Sequence, residues 1–172
     1  MTTKPSAKRA ASTAAKTDAI NLLTNDHKVV HALFQKYGKL AKQAAGMADR
    51  QALAEEICLL LTVHATVEEE IFYPAARDAG VDAALLDEAE VEHASCKELI
   101  AQIRDMSSDD DLYDAKVIVL GEYIDHHVKE EQDEMFPKCR KSSLDLAAIG
   151  AELTARKQEL MAEMSEGMEL AS

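Results

Sequence analysis

The sequence predicts an all-α protein: an up-down-up-down four-helix bundle with an additional C-terminal helix. Three observations predict this fold class. Residue types with high helix propensity, above all Leu, Ala, Glu and Lys, dominate the 172 residues. The apolar/polar alternation typical of strands is absent. Only three prolines and six glycines interrupt the chain, and several of them stand where helices are expected to end.

Five helices are expected, in chain order. The first is followed by Gly46 as a C-terminal stop. The second begins after the N-cap Asp49 and ends before Pro74, because the residue before a proline avoids the α region. A capping turn of Ser and Asp residues separates the third from the fourth, which meets Pro137. The expected ranges are about 18–45, 50–73, 82–106, 111–135 and 143–167.

Each of the first four helices carries a row of inward-facing residues at alternating steps of three and four, and each row includes one histidine. The rows are Ile20, Leu23, His27, Val30, Phe34, Tyr37; Leu53, Ile57, Leu60, His64, Val67, Ile71; Leu86, Ala89, His93, Cys96, Ile100, Ile103; and Val117, Leu120, Ile124, His127, Glu131. Such rows form the inner seam of a bundle. Short connections make neighbouring helices antiparallel.

The charge distribution limits the partners. The formal net charge is −13, and an acidic surface repels nucleic acid and anionic membranes. No apolar run reaches the roughly 18 residues of a membrane span. The three cysteines form no C-x-x-C pair, which is typical of a reducing compartment. We therefore expect a cytoplasmic protein with neither a nucleic acid nor a membrane as partner.

The chain divides into three regions. Residues 1–17 contain four basic residues and no acidic residue, and their low apolar content predicts a disordered basic tail. Residues 18–138 are expected to form the four-helix bundle, and residues 139–172 an appended C-terminal helix. The methionines and Leu160 of that helix predict packing against the bundle. The alternative is a homo-oligomer formed through this helix.

Four histidines, one on each seam, indicate a metal site. Burying four imidazole rings without partners would cost about 1–3 kcal/mol each. Neutral imidazole is a strong metal ligand, so a bound metal would offset that cost.

A repeated phrase, H-x3-E-x4-[YF]-P, strengthens this interpretation. It occurs at residues 64–74 and again 63 residues later, at 127–137, and places Glu68 and Glu131 one helical turn after their histidines. His27 and His93 each follow an acidic residue and precede the phrase by 37 and 34 residues. The chain thus reads as one helical hairpin repeated. Four nitrogens and two carboxylates suit two metal ions, each carboxylate bridging both.

These residues resemble the hemerythrin family in its broad form, the HHE cation-binding domain, over roughly residues 18–138. The resemblance implies a non-haem di-iron centre, two iron ions joined by an oxo or hydroxo bridge. The metal ligands that it implies are His27, His64, Glu68, His93, His127 and Glu131. It implies small-molecule partners as well: O2, peroxide or NO. Manganese and zinc are alternative metals.

The chain departs from the oxygen-carrying hemerythrins at two ligand positions. Lys97 stands where those proteins have a fifth histidine. Glu131 lies four residues after the last histidine, where they have an aspartate at five. Both departures count against reversible oxygen carriage. We expect the fifth-histidine position to stay open, the candidates for an extra or outer-shell ligand being His31, Glu90 and Cys96.

Several functions remain open. The first is a di-iron protein that handles oxygen, peroxide or a related small redox ligand. The second is a catalase- or peroxidase-like enzyme that consumes peroxide, or a protein of the response to iron or nitrosative stress. A ferritin-like iron store needs two Glu-x-x-His pairs, and this chain has one, Glu90 with His93. The last alternative is a bundle whose histidines merely pack.

Overall fold

The computed structural model describes residues 18–43 and 46–170, and in these ranges every regular element is helical. The seven α-helices are α1 (Ala19–Lys42), α2 (Met47–Val67), α3 (Tyr73–Asp78), α4 (Ala83–Asp105), α5 (Tyr113–Glu130), α6 (Phe136–Lys141) and α7 (Leu146–Leu170). A first π-turn (Glu68–Phe72) joins α2 to α3, and a second π-turn (Glu131–Met135) joins α5 to α6. These elements form five continuous helical segments, called rods below. Three are the single helices α1, α4 and α7, and two are helix pairs joined by a π-turn, α2 with α3 and α5 with α6. The expected tail at 1–17 and the expected end of the first helix at 44–45 lie outside the described residues.

The rods form the expected bundle. The hydroxyl of Tyr37, near the end of α1, donates to Asp114 at the start of α5 at 2.6 Å. Arg140 of α6 pairs with Asp18 at the other end of α1 at 3.3 Å. These contacts make α1 antiparallel to the rod of α5 and α6. Helix α1 also packs on α2, and α4 packs on both α2 and α5. The four-helix bundle with an additional C-terminal helix is confirmed.

The expected helix ends at the two phrase prolines are wrong, because the chain stays helical through Pro74 and Pro137. Proline cannot donate a hydrogen bond and clashes with the carbonyl four residues back. The wider π-turn that precedes each proline accommodates this, since the N–H of Tyr73 donates to Glu68 and that of Phe136 donates to Glu131, five residues back. The second rod also begins earlier than expected, at Met47 after the cap Gly46 rather than after Asp49.

The seams of α1, α4 and α5 are buried largely as expected, whereas the second seam changes register. Leu61 is buried in place of Leu60, and Phe72 and Tyr73 are buried in place of Ile71. The first π-turn explains the change beyond Glu68, because each extra residue per turn rotates the following side chains around the axis.

The core consists of two apolar clusters with a polar layer between them. One cluster contains Leu23, Phe72 and Leu153, and the other contains Val30, Ile57 and Leu120. On every seam the histidine lies between residues of the two clusters. The fold thus places all four imidazoles at one level of the bundle.

Helix α7 covers α1, α2 and the first π-turn. Leu153 is fully buried in the apolar core, and Lys157 forms an ion pair with Asp26 of α1 at 2.6 Å. The C-terminal helix therefore reaches the polar layer as well as the core. None of the helices within the described residues is both long and apolar enough to cross a membrane.

Candidate metal centre

The six residues predicted as ligands come together in the polar layer. Their side chains project from the four long rods, and all six residues are buried, Glu68 and Glu131 almost completely. Each glutamate opens a π-turn, an irregularity that is frequent at functional sites.

Two pairs of histidines define two half-sites. In the first half-site the Nε2 atoms of His27 and His64 lie 3.1 Å apart. His27 Nε2 lies 3.2 Å from Glu131 Oε2, and His64 Nε2 lies 3.2 Å from Glu68 Oε1. All four residues offer ligand atoms close enough together to hold one ion.

The second half-site is similar but looser, with three residues rather than four offering ligand atoms close together, namely Glu68, His93 and His127. The Nε2 atoms of His93 and His127 lie 3.1 Å apart. His93 Nε2 lies 3.4 Å from Glu68 Oε2, and His127 Nε2 lies 3.6 Å from Glu131 Oε2. Both glutamates therefore lie near both half-sites: Glu68 presents a different oxygen to each, whereas Glu131 presents Oε2 to both.

The donor set fits metal ions. Two imidazole nitrogens bound at right angles, each about 2.1 Å from one ion, would lie about 3.0 Å apart, close to the distance in each half-site. Glu68 Oε1 and Glu131 Oε2 are buried and have no hydrogen-bond partner in the described part of the chain. Orphaned carboxylate oxygens are rare in protein interiors, and a shared pair of cations would satisfy them.

The outer ring nitrogens are held by other side chains, so that all four Nε2 atoms face inward. His64 Nδ1 contacts Asp26 at 3.2 Å, and His127 Nδ1 contacts Glu92 at 2.7 Å. His93 Nδ1 contacts Glu69 at 2.9 Å, and His27 Nδ1 contacts the amide of Gln132 at 3.0 Å. Such partners fix the ring and the tautomer of a metal-binding histidine.

The electrostatics of the site favour positive charge. Burial lowers the pKa of His64, but Glu68 and Asp26 outweigh it and raise that pKa to about 10. Burial likewise lowers the pKa of His127, while Glu131 and Glu92 raise it to about 9. Burial raises the pKa of the Glu68 carboxyl, yet His64 and His93 bring it well below its ordinary value. A field that attracts protons to the imidazoles also attracts metal ions.

Tyr73 is a site residue that sequence reasoning missed. Its hydroxyl donates to Glu131 Oε1 at 2.9 Å and lies 3.3 Å from His93 Nε2. In an uninterrupted α-helix Tyr73 would point about 140° away from Glu68; the first π-turn brings it inward. The sequence feature that could have identified Tyr73 is the aromatic residue that recurs in the repeated phrase. Its counterpart, Phe136, stacks on the ring of His27 with centroids 5.8 Å apart.

A cavity of about 30 Å³ adjoins the four histidines. Its remaining wall is largely apolar and includes Val30, Leu61, Ile100 and Ile124. Since one water molecule needs roughly 10–15 Å³ on this measure, the cavity accommodates a molecule of about two heavy atoms.

Two of the three candidates for an extra ligand take other contacts, and the third lies at the cavity. His31 is half-exposed and contacts Asp125 at 3.0 Å and Gln35 at 2.9 Å. Glu90 is exposed and pairs with Arg77 at 3.1 Å. Cys96 is buried and lines the cavity, and burial raises the pKa of its thiol to about 11. Lys97 turns to Glu69.

Comparison with known proteins agrees with this geometry. The sequence model described as the Hemerythrin HHE cation binding domain matches residues 18–167. The fold is similar to the crystal structure of a hemerythrin HHE cation binding domain-containing protein from Mycobacterium kansasii, with a TM-score of 0.74. That match covers 88% of this chain and 92% of the other at 20% identity. A search of the curated proteins finds no match.

Proposed function

This chain belongs to the hemerythrin HHE cation-binding domain family, and from that premise we propose a non-haem di-iron protein that handles oxygen, peroxide or a related small redox ligand. The observation that carries the proposal is that Glu68 and Glu131 each lie within 3.6 Å of a histidine of both half-sites. Two carboxylates that contact both half-sites are suited to a pair of ions rather than to one.

Iron is favoured by the mixture of donors. Zinc prefers four ligands in a closed or partly open tetrahedron. Here six side chains would be divided between two ions, leaving each ion short of the six ligands that iron commonly accepts. The same donors suit manganese. The extra-ligand candidates His31 and Glu90 have partners elsewhere, so coordination positions remain for a small ligand.

The cavity supports a small ligand. Its volume of about 30 Å³ suits O2, peroxide or NO better than a larger metabolite. A bound iron pair would supply the electrons for chemistry on that ligand. The protein's own contribution is an apolar wall that limits water and a hydroxyl, that of Tyr73, beside the second half-site.

Consumption of peroxide is the second candidate, and Tyr73 is the observation that favours it. Burial, with the charges of Glu68 and Glu131, raises the pKa of this hydroxyl well above its ordinary value. The phenol therefore keeps its proton at neutral pH. Its hydroxyl, which donates to Glu131 Oε1, lies close enough to the second half-site to donate instead to an oxygen ligand bound there. An oxygen–oxygen bond breaks more readily when a donor stabilises the charge that develops on oxygen.

The two candidates differ in a direct experiment on the iron-loaded protein. Reversible binding predicts that the reduced protein gives an oxygen-dependent absorption spectrum that argon reverses. Turnover predicts sustained peroxide consumption that falls in Tyr73→Phe and not in Tyr123→Phe, which alters a tyrosine that is 49% exposed. A protein whose spectrum responds neither to oxygen nor to peroxide would contradict the proposed function.

A further inference from the structure

The repeated hairpins make the site nearly two-fold symmetric, including its outer contacts. His64 and His127 occupy equivalent places, and each is held by the acidic residue that precedes the other histidine of its own hairpin, Asp26 or Glu92. Both contacts join an imidazole N–H to a carboxylate. At this pair of positions the two half-sites are chemically alike.

The symmetry breaks at the other pair of histidines. His93 and His27 are each held by the residue that follows a bridging glutamate of the opposite hairpin. For His93 that residue is the carboxylate Glu69, and for His27 it is the neutral amide Gln132. In the second half-site the Nδ1 atoms of both histidines thus contact a carboxylate, whereas in the first half-site one Nδ1 atom contacts a carboxylate and the other an amide.

Salt bridges with lysines do not remove the extra negative charge beside the second half-site. Asp26 is neutralised by Lys157 at 2.6 Å, and Glu69 by Lys97. Within the described part of the chain, Glu92 has only His126 and His127 as ion-pair partners. Around the second half-site, Glu69 is neutralised by a lysine but Glu92 is not, so one negative charge remains. Around the first half-site, the charges of Asp26 and Lys157 cancel.

The aromatic residues of the two repeated phrases also make the second half-site the more polar one. Tyr73 places its hydroxyl 3.3 Å from His93 Nε2 and 3.5 Å from His127 Nε2. Its counterpart Phe136 lays an apolar ring parallel to His27, at an interplanar angle of 4°. The second half-site is therefore the more polar of the two as well as the more negative.

We propose that the half-sites are inequivalent, and that the second, built on His93 and His127, takes up the first divalent ion. Glu69 and Gln132 act as positioning residues that set this order. The inference rests on the proposed two-metal function. Its physical basis is that a carboxylate acceptor makes an imidazole a stronger ligand, an effect worth about 10–100-fold in affinity.

Titration of the metal-free, full-length protein with Co²⁺ tests the proposal, because the visible absorption of Co²⁺ reports each binding step. We expect two steps whose dissociation constants differ by about tenfold or more. Glu69→Gln should weaken the tighter step about tenfold, and Gln132→Glu should tighten the weaker step and narrow the gap. Glu70→Gln is the matched control, since Glu70 lies beside Glu69 and pairs with Arg156.

Histidine variants identify the half-site that fills first. His27→Ala should keep the tight step and lose the weak one, and His93→Ala should do the reverse. Two equal steps, or a Glu69→Gln effect confined to the weaker step, would overturn the proposed order while leaving the two-metal function intact. Absence of Co²⁺ binding in the folded protein would contradict both.

Discussion

At the scale of single residues, the two buried glutamates carry the greatest expected effect on metal binding. Glu68 and Glu131 each contact histidines of both half-sites. Removing either one takes a ligand from two ions and leaves two cations in a dry interior with half of their compensating charge. We expect Glu68→Ala and Glu131→Ala to lose both metals, and a single histidine-to-alanine change to lose mainly one.

Metal analysis of the purified variants measures this difference. Glu130→Ala is the matched control, because Glu130 adjoins Glu131 in sequence but is half-buried and contacts His126 at 3.3 Å. Circular dichroism verifies that each variant is folded. Full metal retention in Glu131→Ala would show that this carboxylate does not bridge.

The two histidines outside the seams should matter little. His31 has 53% of its side chain exposed and His126 has 66%, and neither contacts the six convergent residues. We expect His31→Ala to keep its metal and its reactivity, whereas His93→Ala loses both the ion of its half-site and the reactivity. If His31→Ala loses one metal ion, this residue is a ligand and the site must rearrange when it binds metal.

Protons compete with metal ions for the histidines, so the affinity for metal should depend on pH. In the metal-free protein the pKa of His64 is raised to about 10 from an ordinary value of about 6.5. The stability that protonated His64 contributes is therefore fully present below about pH 6.5 and is lost as the pH rises through about 10. A metal ion needs the unprotonated ring, so its affinity rises over the same range.

Thermal unfolding with and without Co²⁺ measures this competition. We expect the increase in Tm caused by the metal to be larger at about pH 9 than at about pH 6. The same series on Glu70→Gln serves as a control for general charge effects at the surface. An increase in Tm that stays constant across this range would contradict the assigned proton competition.

The six convergent residues could be predicted because each obeys a rule local to its helix. The histidines fit the seam spacing, and the glutamates follow at one helical turn. Gln132 and Lys157 could not be predicted. They reach His27 and Asp26 from 105 and 131 residues away, and such pairings depend on how the rods pack.

At the scale of elements, the two π-turns explain where sequence reasoning failed. Proline is ordinarily a sign that a helix ends, so the sequence predicts a helix end at the proline of each repeated phrase. The glutamate of each repeated phrase begins a wider turn, and the helix continues beyond it. Seam spacing alone cannot show a π-turn, so Phe72 and Tyr73 were not expected to face inward.

The C-terminal helix should be part of the same folding unit as the bundle. Leu153 of α7 is fully buried in a cluster shared with α1 and the first π-turn. We expect Leu153→Ala to reduce the free energy of unfolding by about 2–5 kcal/mol. Leu112→Ala, at a position 61% exposed, should change it by no more than about 0.5 kcal/mol.

Urea unfolding of both variants compares these values. Equal effects for the two leucines would mean that α7 adds little to the core. That result would favour the alternative proposal, in which this helix forms a homo-oligomer.

At the scale of the whole molecule, the metal layer has a structural role as well as a chemical one. Two apolar clusters fill the ends of the bundle, and four imidazoles and two carboxylates lie between them. Among the described residues, two of the carboxylate oxygens have no hydrogen-bond partner. Metal ions would join all four long rods at this level. The fold class was predictable because seam spacing and short loops suffice to specify such a bundle.

The iron content of the full-length protein, produced with iron available, tests the central claim most directly. Two half-sites that share Glu68 and Glu131 predict about two iron ions per chain, with the near-ultraviolet absorption of an oxygen-bridged ferric pair in the oxidised protein. A reproducible content of one zinc ion per chain without iron would contradict the di-iron centre.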